Sequence, residues 1–183
     1  MAKYPREWTK QVVLKSGTEV FLRPEQADDT DMLWQMFSTL SKESLGYLIH
    51  PFTRERIEGW TSNIDYSKHL PILALIQEDD RKRIIATASL SFHSRESNKH
   101  KAELGITVHD GYQDQGLGTI MVMHLLEIAQ ASKLKKIYLR VDTNNSRAIH
   151  VYEKCGFIKE AKLEKEDYVD GRFRDDYRMA KFL

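Results

Sequence analysis

Two glycines, Gly116 and Gly118, lie in the segment Tyr112–Thr119, where an alternating stretch of sequence gives way to an amphipathic one. Glycine has no Cβ, so a ligand can approach the backbone closely at these positions. The free N–H groups and the positive end of a helix that begins here would face the same point. The segment therefore favours the binding of a phosphate or pyrophosphate group.

Two better-known phosphate-binding sequences do not fit this segment. It contains no Gly-Lys-Ser/Thr, so it is not the P-loop that holds nucleoside triphosphates. The third glycine of a dinucleotide-binding turn is also missing, because Met121 occupies that position. A turn with two glycines is equally compatible with a plain connection between a strand and a helix, so the segment alone leaves both interpretations open.

A longer pattern around these glycines resembles the GCN5-related N-acetyltransferase (GNAT) family. Gln113-x-x-Gly116-x-Gly118 is similar to the family's (Gln/Arg)-x-x-Gly-x-(Gly/Ala) signature. Residues 145–157, with the letters NSRAIHVYEKCGF, are similar to its Asn-x-x-Ala segment that ends in Tyr-Glu-Lys-x-Gly-Phe. Residues 102–108 resemble the family's fourth strand, and residues 170–179 resemble its final hairpin. The matches keep the family's order and spacing from about residue 84 onwards.

The resemblance implies an acetyl-CoA-dependent N-acetyltransferase in which an amine attacks the thioester directly, in a ternary complex. A typical alkylamine is protonated near neutral pH, so a base is useful. Glu103 matches the acidic residue that fills this role in the family, often through a water molecule, and His93 and His109 are rival candidates. Tyr152 matches the tyrosine that donates to the departing CoA sulfur.

The resemblance also implies which residues bind acetyl-CoA. A backbone N–H near Val108 is expected to face the thioester oxygen, and Asn145 to bond the pantetheine amides, to cap the following helix, or both. Gln113 replaces the commoner Arg, so Arg147 or Lys154 could supply the missing positive charge. The predicted cofactor-binding residues are Ile106, Thr107, Val108, Gln113, Asp114, Gln115, Gly116, Leu117, Gly118, Thr119, Asn145 and Tyr152.

Other reactive or aromatic side chains have ordinary structural interpretations. Cys155 is the single cysteine, and no His-Asp pattern accompanies it, so it is expected to pack as a small apolar residue and not to act as a nucleophile. Four aromatic residues of the N-terminal half belong either to the core or to an acceptor pocket: Trp34, Phe37, Tyr47 and Trp60.

Alternation and helical spacing predict the elements that must position these residues. The predicted strands are residues 20–24, 71–76, 84–92, 102–109 and 136–141, a strand that begins at 157–158, and a C-terminal strand around 173–180. The predicted helices are residues 28–40, one that begins at Thr53, 117–131 and 147–154. This order predicts an α/β fold with a mixed central sheet flanked by helices. The family resemblance adds splayed strands that form the acetyl-CoA cleft.

Composition excludes several classes of function. The 183 residues carry 28 Lys and Arg against 27 Asp and Glu, a formal net charge of +1, which argues against a nucleic-acid partner. One cysteine cannot form an internal disulfide, and the seven scattered histidines do not predict a metal site. No apolar run is long enough for a membrane span, and the first residues lack the core of a signal peptide. A cytoplasmic protein is expected.

These observations predict one domain over residues 1–183, with an acceptor-side half at about 15–75 and an acetyl-CoA-binding half at about 84–183. The expected acceptor is a small-molecule amine such as an amino acid or polyamine. The alternatives are a protein lysine or N-terminal acetyltransferase, and a regulatory domain that binds acyl-CoA without turnover. The resemblance also allows a homodimer. Acidic residues that could attract a cationic amine, or merely form solvated faces, are those at 28, 29, 31, 65, 79 and 80.

Overall fold

The structure is a computed structural model that describes residues 4–48 and 52–183; residues 1–3 and 49–51 of the predicted domain lie outside the described residues. The strands are β1 (Lys10–Val13), β2 (Glu19–Pro24), β3 (His69–Glu78), β4 (Arg81–Phe92), β5 (Lys101–Val108), β6 (Lys136–Asp142), β7 (Ile158–Val169) and β8 (Arg172–Phe182). The α-helices are α1 (Thr30–Ser38), α2 (Lys42–Gly46), α3 (Arg54–Ser62), α4 (Leu117–Ala131) and α5 (Ser146–Lys154).

All eight strands form one sheet in the order β1-β2-β3-β4-β5-β6-β8-β7. Every neighbouring pair is antiparallel except β5 and β6, which are parallel. Helices cover both faces, so the predicted mixed α/β fold in a single domain is confirmed. Within residues 4–48 and 52–183, no helix is long and apolar enough to cross a membrane.

The central strands are apolar on both faces because each face carries helices. On β3, Ile72 and Ala74 belong to the core cluster under α4 and α5. Leu73 and Leu75 point to the other face, where they pack with residues of α1 and α3. The unbroken apolar run that predicted this strand is the pattern expected of a strand buried on both sides.

The sheet opens between β5 and β6. The two strands pair at Lys101–Lys136, Ala102–Ile137 and Glu103–Tyr138, and at no later position of β5. Beyond Glu103 they diverge, because β6 continues its pairing with β8 instead. The predicted splay of these strands is therefore confirmed, and Glu103 lies at the point where the gap begins.

Three differences from the predicted elements have simple causes. The short strand β1 has no buried side chain, so its sequence shows no alternation that could reveal it. The strand β7 runs for 12 residues and is exposed on both faces for most of its length, so only its start carried an apolar signal. The predicted helix 117–131 is present as α4, but its last residue, Ala131, is exposed because the helix ends there.

Candidate active site

The turn before α4 presents backbone donors to the gap in the sheet. Gly116 is the N-cap of α4, with a φ of +88°, and no side chain caps the helix. The first intrahelical bond runs from the Ile120 N–H to the Gly116 carbonyl, 3.1 Å. The N–H groups of Leu117, Gly118 and Thr119 therefore have no acceptor inside the helix. A residue with a Cβ is strained at the φ of Gly116, so glycine is needed there for backbone conformation.

Gly118 meets a different requirement. A Cβ added to it would lie 3.9 Å from the Val151 methyl groups and 4.0 Å from a Val108 methyl group, which is ordinary van der Waals contact. Gly118 thus lies between β5 and α5, where alanine would fit and longer side chains would extend into the gap. This matches a signature that allows Gly or Ala at the position.

The side chain of Gln113 is held by hydrogen bonds within the protein. Its amide nitrogen donates to the Val108 carbonyl, 3.0 Å, and to the Ser44 hydroxyl, 3.2 Å. Its amide oxygen accepts a hydrogen bond from Arg147, and Arg147 also lies 3.4 Å from the carboxylate of Asp114. Gln113 therefore ties the turn to β5, and Arg147 brings a positive charge to the place where the commoner Arg is missing.

A cleft of about 630 Å³, here called the loop cleft, extends from this turn along the gap. It brings together all of the predicted cofactor-binding residues except Gln115 and Leu117. Leu117 points into the core, and the amide of Gln115 donates to the Gly111 carbonyl, 3.1 Å. Arg147 and Lys154 line the loop cleft, as do several residues that were not predicted for the site, among them Lys15, Ser44 and His150.

The backbone of β5 alternates its hydrogen-bonding direction across this cleft. His109, just after β5, donates its N–H to the Ile85 carbonyl, 2.9 Å, so the odd-numbered residues face β4. The Val108 carbonyl accepts from Gln113, which lies on the opposite side. By this alternation the N–H groups of Ile106 and Val108 point into the gap, where β6 no longer pairs with them.

Tyr152 lies at the inner end of the loop cleft. The residue is only 6% exposed, and its ring packs against Phe157 with 5.9 Å between centroids. Its hydroxyl has no hydrogen-bond partner among the described residues. No described side-chain nitrogen or oxygen that is fully buried lacks a partner, so this hydroxyl must be accessible to solvent. The hydroxyl therefore opens into the cleft. Burial, and then the nearby Cys155, raise the pKa of Tyr152 well above its ordinary value, so the phenol stays protonated over the physiological range.

A second cleft, of about 1130 Å³, lies on the sheet face that carries α1 and α3. It meets the loop cleft at the five residues that line both: Tyr47, Leu48, Ile106, Thr107 and Asn145. Asn145 caps α5 by accepting from the Ala148 N–H, 3.1 Å, so its capping role is present in the structure.

This second cleft is acidic and has an aromatic wall. Among residues 4–48 and 52–183, the guanidinium groups that line it are those of Arg56, Arg140 and Arg174. Seven carboxylates of the same part of the chain also line it: Glu25, Asp65, Glu103, Asp142, Asp167, Asp170 and Asp176. Because the carboxylates outnumber the guanidinium groups, we call it the acidic cleft.

The sequence offered acidic residues at 28, 29, 31, 65, 79 and 80 as possible attractants of a cationic amine. Of these six, Asp65 alone lines this cleft. Asp29 is instead fully buried in an ion pair with Arg23, at 2.5 Å. The aromatic wall includes Phe37, Tyr47 and Trp60, whereas Trp34 packs beside the core cluster of α1 and α3.

Glu103 lies in the acidic cleft and is the first member of a hydrogen-bonded chain. Its carboxylate accepts from the Tyr138 hydroxyl, 3.3 Å, and that hydroxyl lies 3.0 Å from Nε2 of His93. Burial, and then the charge of Glu103, raise the pKa of Tyr138. His93 thus contacts the candidate base through Tyr138 and does not itself line either cleft.

His109 and Cys155 lie apart from the reacting region. Nε2 of His109 is 3.1 Å from the Thr39 hydroxyl, its Nδ1 accepts from the Gly111 N–H, and it lines neither cleft. Burial lowers the pKa of His109. Cys155 is buried in the core, and burial raises the pKa of its thiol, so it packs as an apolar residue.

Comparison with known proteins assigns this arrangement to a family. The model of the acetyltransferase (GNAT) family matches residues 32–157, more than two-thirds of the chain. The chain belongs to the GNAT family. It is an acetyl-CoA-dependent N-acetyltransferase, as the sequence motifs predicted.

The chain is similar to two curated relatives that are spermidine N(1)-acetyltransferases. It is 32% identical to the one from Vibrio cholerae serotype O1 over 120 residues, which cover 62% of this chain and 67% of the relative. It is 28% identical to the one from Escherichia coli strain K12 over 177 residues, which cover 92% and 89%. Among solved structures, the GNAT domain of S. lividans PAT superimposes with a TM-score of 0.78 over 99% of this GNAT chain and 100% of that one, at 22% identity.

Proposed function

We propose that this GNAT enzyme transfers the acetyl group of acetyl-CoA to a primary amine of a small cationic molecule, of which spermidine is an example. The observation that carries the proposal is the direct junction of the two clefts, which share five lining residues, among them Ile106, Thr107 and Asn145. The loop cleft presents free backbone N–H groups for an anionic cofactor. The acidic cleft attracts a cation to the same junction, and two curated relatives are named for spermidine.

Acetyl-CoA is proposed to lie in the loop cleft, with its phosphates at the N–H groups of residues 117–119. The pantetheine arm would run along the unpaired edge of β5, where it can bond the strand as another strand would. Asn145 keeps its side-chain nitrogen for a pantetheine carbonyl, because only its oxygen is used in capping α5. The Val108 N–H is the proposed donor to the thioester oxygen.

Glu103 is the proposed base. It accepts the proton of the attacking amine directly or through water, while the amine nitrogen bonds to the thioester carbon and the carbon–sulfur bond breaks. The proton then leaves Glu103 for solvent. The hydrogen bond from Tyr138 holds the Glu103 carboxylate in place at the start of the gap.

Tyr152 is the proposed donor to the departing sulfur. Its free hydroxyl opens into the loop cleft, and its raised pKa keeps the proton on the phenol. The hydroxyl donates a hydrogen bond to the sulfur and so stabilises the thiolate as the carbon–sulfur bond breaks, and the thiolate then takes a proton from solvent. The buried Cys155 offers no accessible thiolate, which favours direct attack in a ternary complex over an acyl-cysteine route.

A panel of acceptors tests this proposal. Thiol release from acetyl-CoA would be followed with spermidine, simple alkylamines, amino acids and a lysine-containing peptide. We expect the highest kcat/KM with the polyamine. Preference for the peptide would favour a protein acetyltransferase, and binding of acetyl-CoA without thiol release from any amine would favour a regulatory domain. The division into an acceptor-side and a cofactor-side half, the homodimer and the cytoplasmic location stay predictions.

A further inference from the structure

Two buried carboxyl groups of the acidic cleft, those of Glu25 and Asp176, have no hydrogen bond or ion pair among the described residues, and Glu25 is the one on the acceptor's side of the sheet. Glu25 follows β2 directly and is 4% exposed, yet it lines the cleft. Its main chain is satisfied, because its N–H donates to the Pro71 carbonyl, 3.0 Å, and its carbonyl accepts from the Tyr66 hydroxyl, 2.7 Å. Within the described parts of the chain, no hydrogen bond or ion pair reaches its carboxylate, whose oxygens stay open to the cleft.

The cation whose charge acts on Glu25, the guanidinium of Arg23, is already bound to another carboxylate. Both terminal nitrogens of Arg23 bond the Asp29 carboxylate, at 2.7 and 2.5 Å, and one of them also donates to the Pro24 carbonyl, 2.9 Å. Burial, and then the charge of Asp29, raise the pKa of Glu25 to about 7. A buried carboxylate without a partner destabilises the folded protein. A cation that enters the cleft would provide the missing ion pair and charge-assisted hydrogen bond.

A row of small side chains connects Glu25 to the junction of the two clefts. Glu25 lies opposite Pro71, Pro71 pairs with Ser89, and Ser89 pairs with Gly105 on β5. All four residues line the acidic cleft. Neighbouring strands lie about 4.8 Å apart, so the row spans about 14 Å. Allowing a few Å for contacts at each end leaves roughly 10 Å between the reacting nitrogen and a second nitrogen beside Glu25.

We propose that Glu25 binds a second ammonium group of the acceptor, so that the enzyme selects extended amines with two or more positive charges. The proposal rests on the proposed function and adds the residue and the spacing that would set its specificity. The acceptor lies across Gly105, Ser89 and Pro71, where large side chains would block it. Its distal charge pairs with Glu25 while its near nitrogen reaches the thioester.

Paired acceptors test this assignment. Diaminooctane has as many bonds between its end nitrogens as spermidine, and octylamine has the same chain with one charge. We expect Glu25→Gln to raise the KM for diaminooctane at least about tenfold while kcat stays within about twofold. The KM for octylamine should change little. Asp31→Asn is the control, because Asp31 is an exposed carboxylate on α1 outside both clefts.

Thermal unfolding separates a specific role from a structural one. Because the Glu25 carboxylate has no protein partner, Glu25→Gln should melt at or above the wild-type temperature. Diaminooctane should raise the melting temperature of wild type, through preferential binding to the folded state, and raise it much less in Glu25→Gln.

Equal changes in KM for diaminooctane and octylamine, or none for either, would overturn the role of Glu25. Absence of turnover with every amine would contradict the proposed function instead. The stabilisation by diaminooctane, which needs no turnover, would still support or refute the contact with Glu25.

Discussion

Removal of the Tyr152 hydroxyl is the perturbation that separates chemistry from folding most cleanly. The hydroxyl has no protein partner among the described residues, and the ring that packs against Phe157 is retained in phenylalanine. Tyr152→Phe therefore leaves no buried group unpaired, and we expect the free energy of unfolding to change by less than about 0.5 kcal/mol.

The rate should change far more than the stability. Removing one hydrogen-bond donor from a charge that develops in the transition state costs about a hundredfold or more, and a hundredfold corresponds to about 2.7 kcal/mol of barrier. We expect kcat of Tyr152→Phe to fall by about that factor, with the KM for acetyl-CoA within about threefold. Since burial keeps the phenol protonated, the loss should persist across the whole alkaline range that the enzyme tolerates.

The assay is the initial rate of thiol release at saturating acetyl-CoA and amine, with calorimetric binding of CoA alongside it. Tyr112→Phe is the matched control, because that hydroxyl donates to Glu78, 2.8 Å, and Tyr112 lines neither cleft. A kcat for Tyr152→Phe equal to that of wild type would refute the donor role. Loss of CoA binding with kcat unchanged would show that Tyr152 only shapes the cleft.

Three further predictions concern the proposed base, the glycine turn before α4 and the carboxylate of Asp110. Glu103→Gln should lower kcat by about a hundredfold, most strongly at low pH, where the amine is charged; an unchanged pH–rate profile would assign the base to another group. Gly116→Ala should lower the free energy of unfolding by about 1–2 kcal/mol, because the φ of Gly116 is positive. Gly118→Ala should lower it by less than about 0.5 kcal/mol. Equal losses for the two variants in chemical denaturation would contradict this. Asp110→Asn should lower stability near neutral pH by about 1 kcal/mol, discounted for solvent screening, and by almost nothing in acid.

The sign of the Asp110 effect follows from its pKa. Burial alone would raise that pKa, but hydrogen bonds from the hydroxyls of Ser44 and Ser41 and from the Ser41 N–H outweigh it and hold the pKa at about 2. Its contribution is therefore complete above its ordinary pKa near 3.8 and is lost as the pH falls towards 2. A difference between variant and wild type that grew in acid would contradict this account.

The residues that line the loop cleft could be grouped from sequence because they are close together along the chain. Gly116 and Gly118 mark one turn, and Tyr152 lies in one short helix. The splay of β5 from β6, by contrast, depends on where pairing stops, at Glu103 and Tyr138, and only the family resemblance predicted it.

The acidic cleft could not be predicted from local sequence pattern. Glu25 directly follows β2 and Asp176 lies in β8, far apart along the chain, and they line one cleft because of the order of the strands in the sheet. Asp29 looked like part of a solvated helix end, yet it is fully buried against Arg23. The exposed strands β1 and β7 also lack the apolar alternation on which sequence reasoning depends.

The central claim is that the two joined clefts acetylate a small cationic amine. It is tested most directly by competition, with spermidine, octylamine and a lysine-containing peptide at equal concentration and limiting acetyl-CoA, and with mass spectrometry of all products. The account predicts that the acetyl group is found predominantly on spermidine, with octylamine and the peptide nearly unmodified. Acetyl transfer mainly to the peptide, or recovery of acetyl-CoA intact, would contradict it.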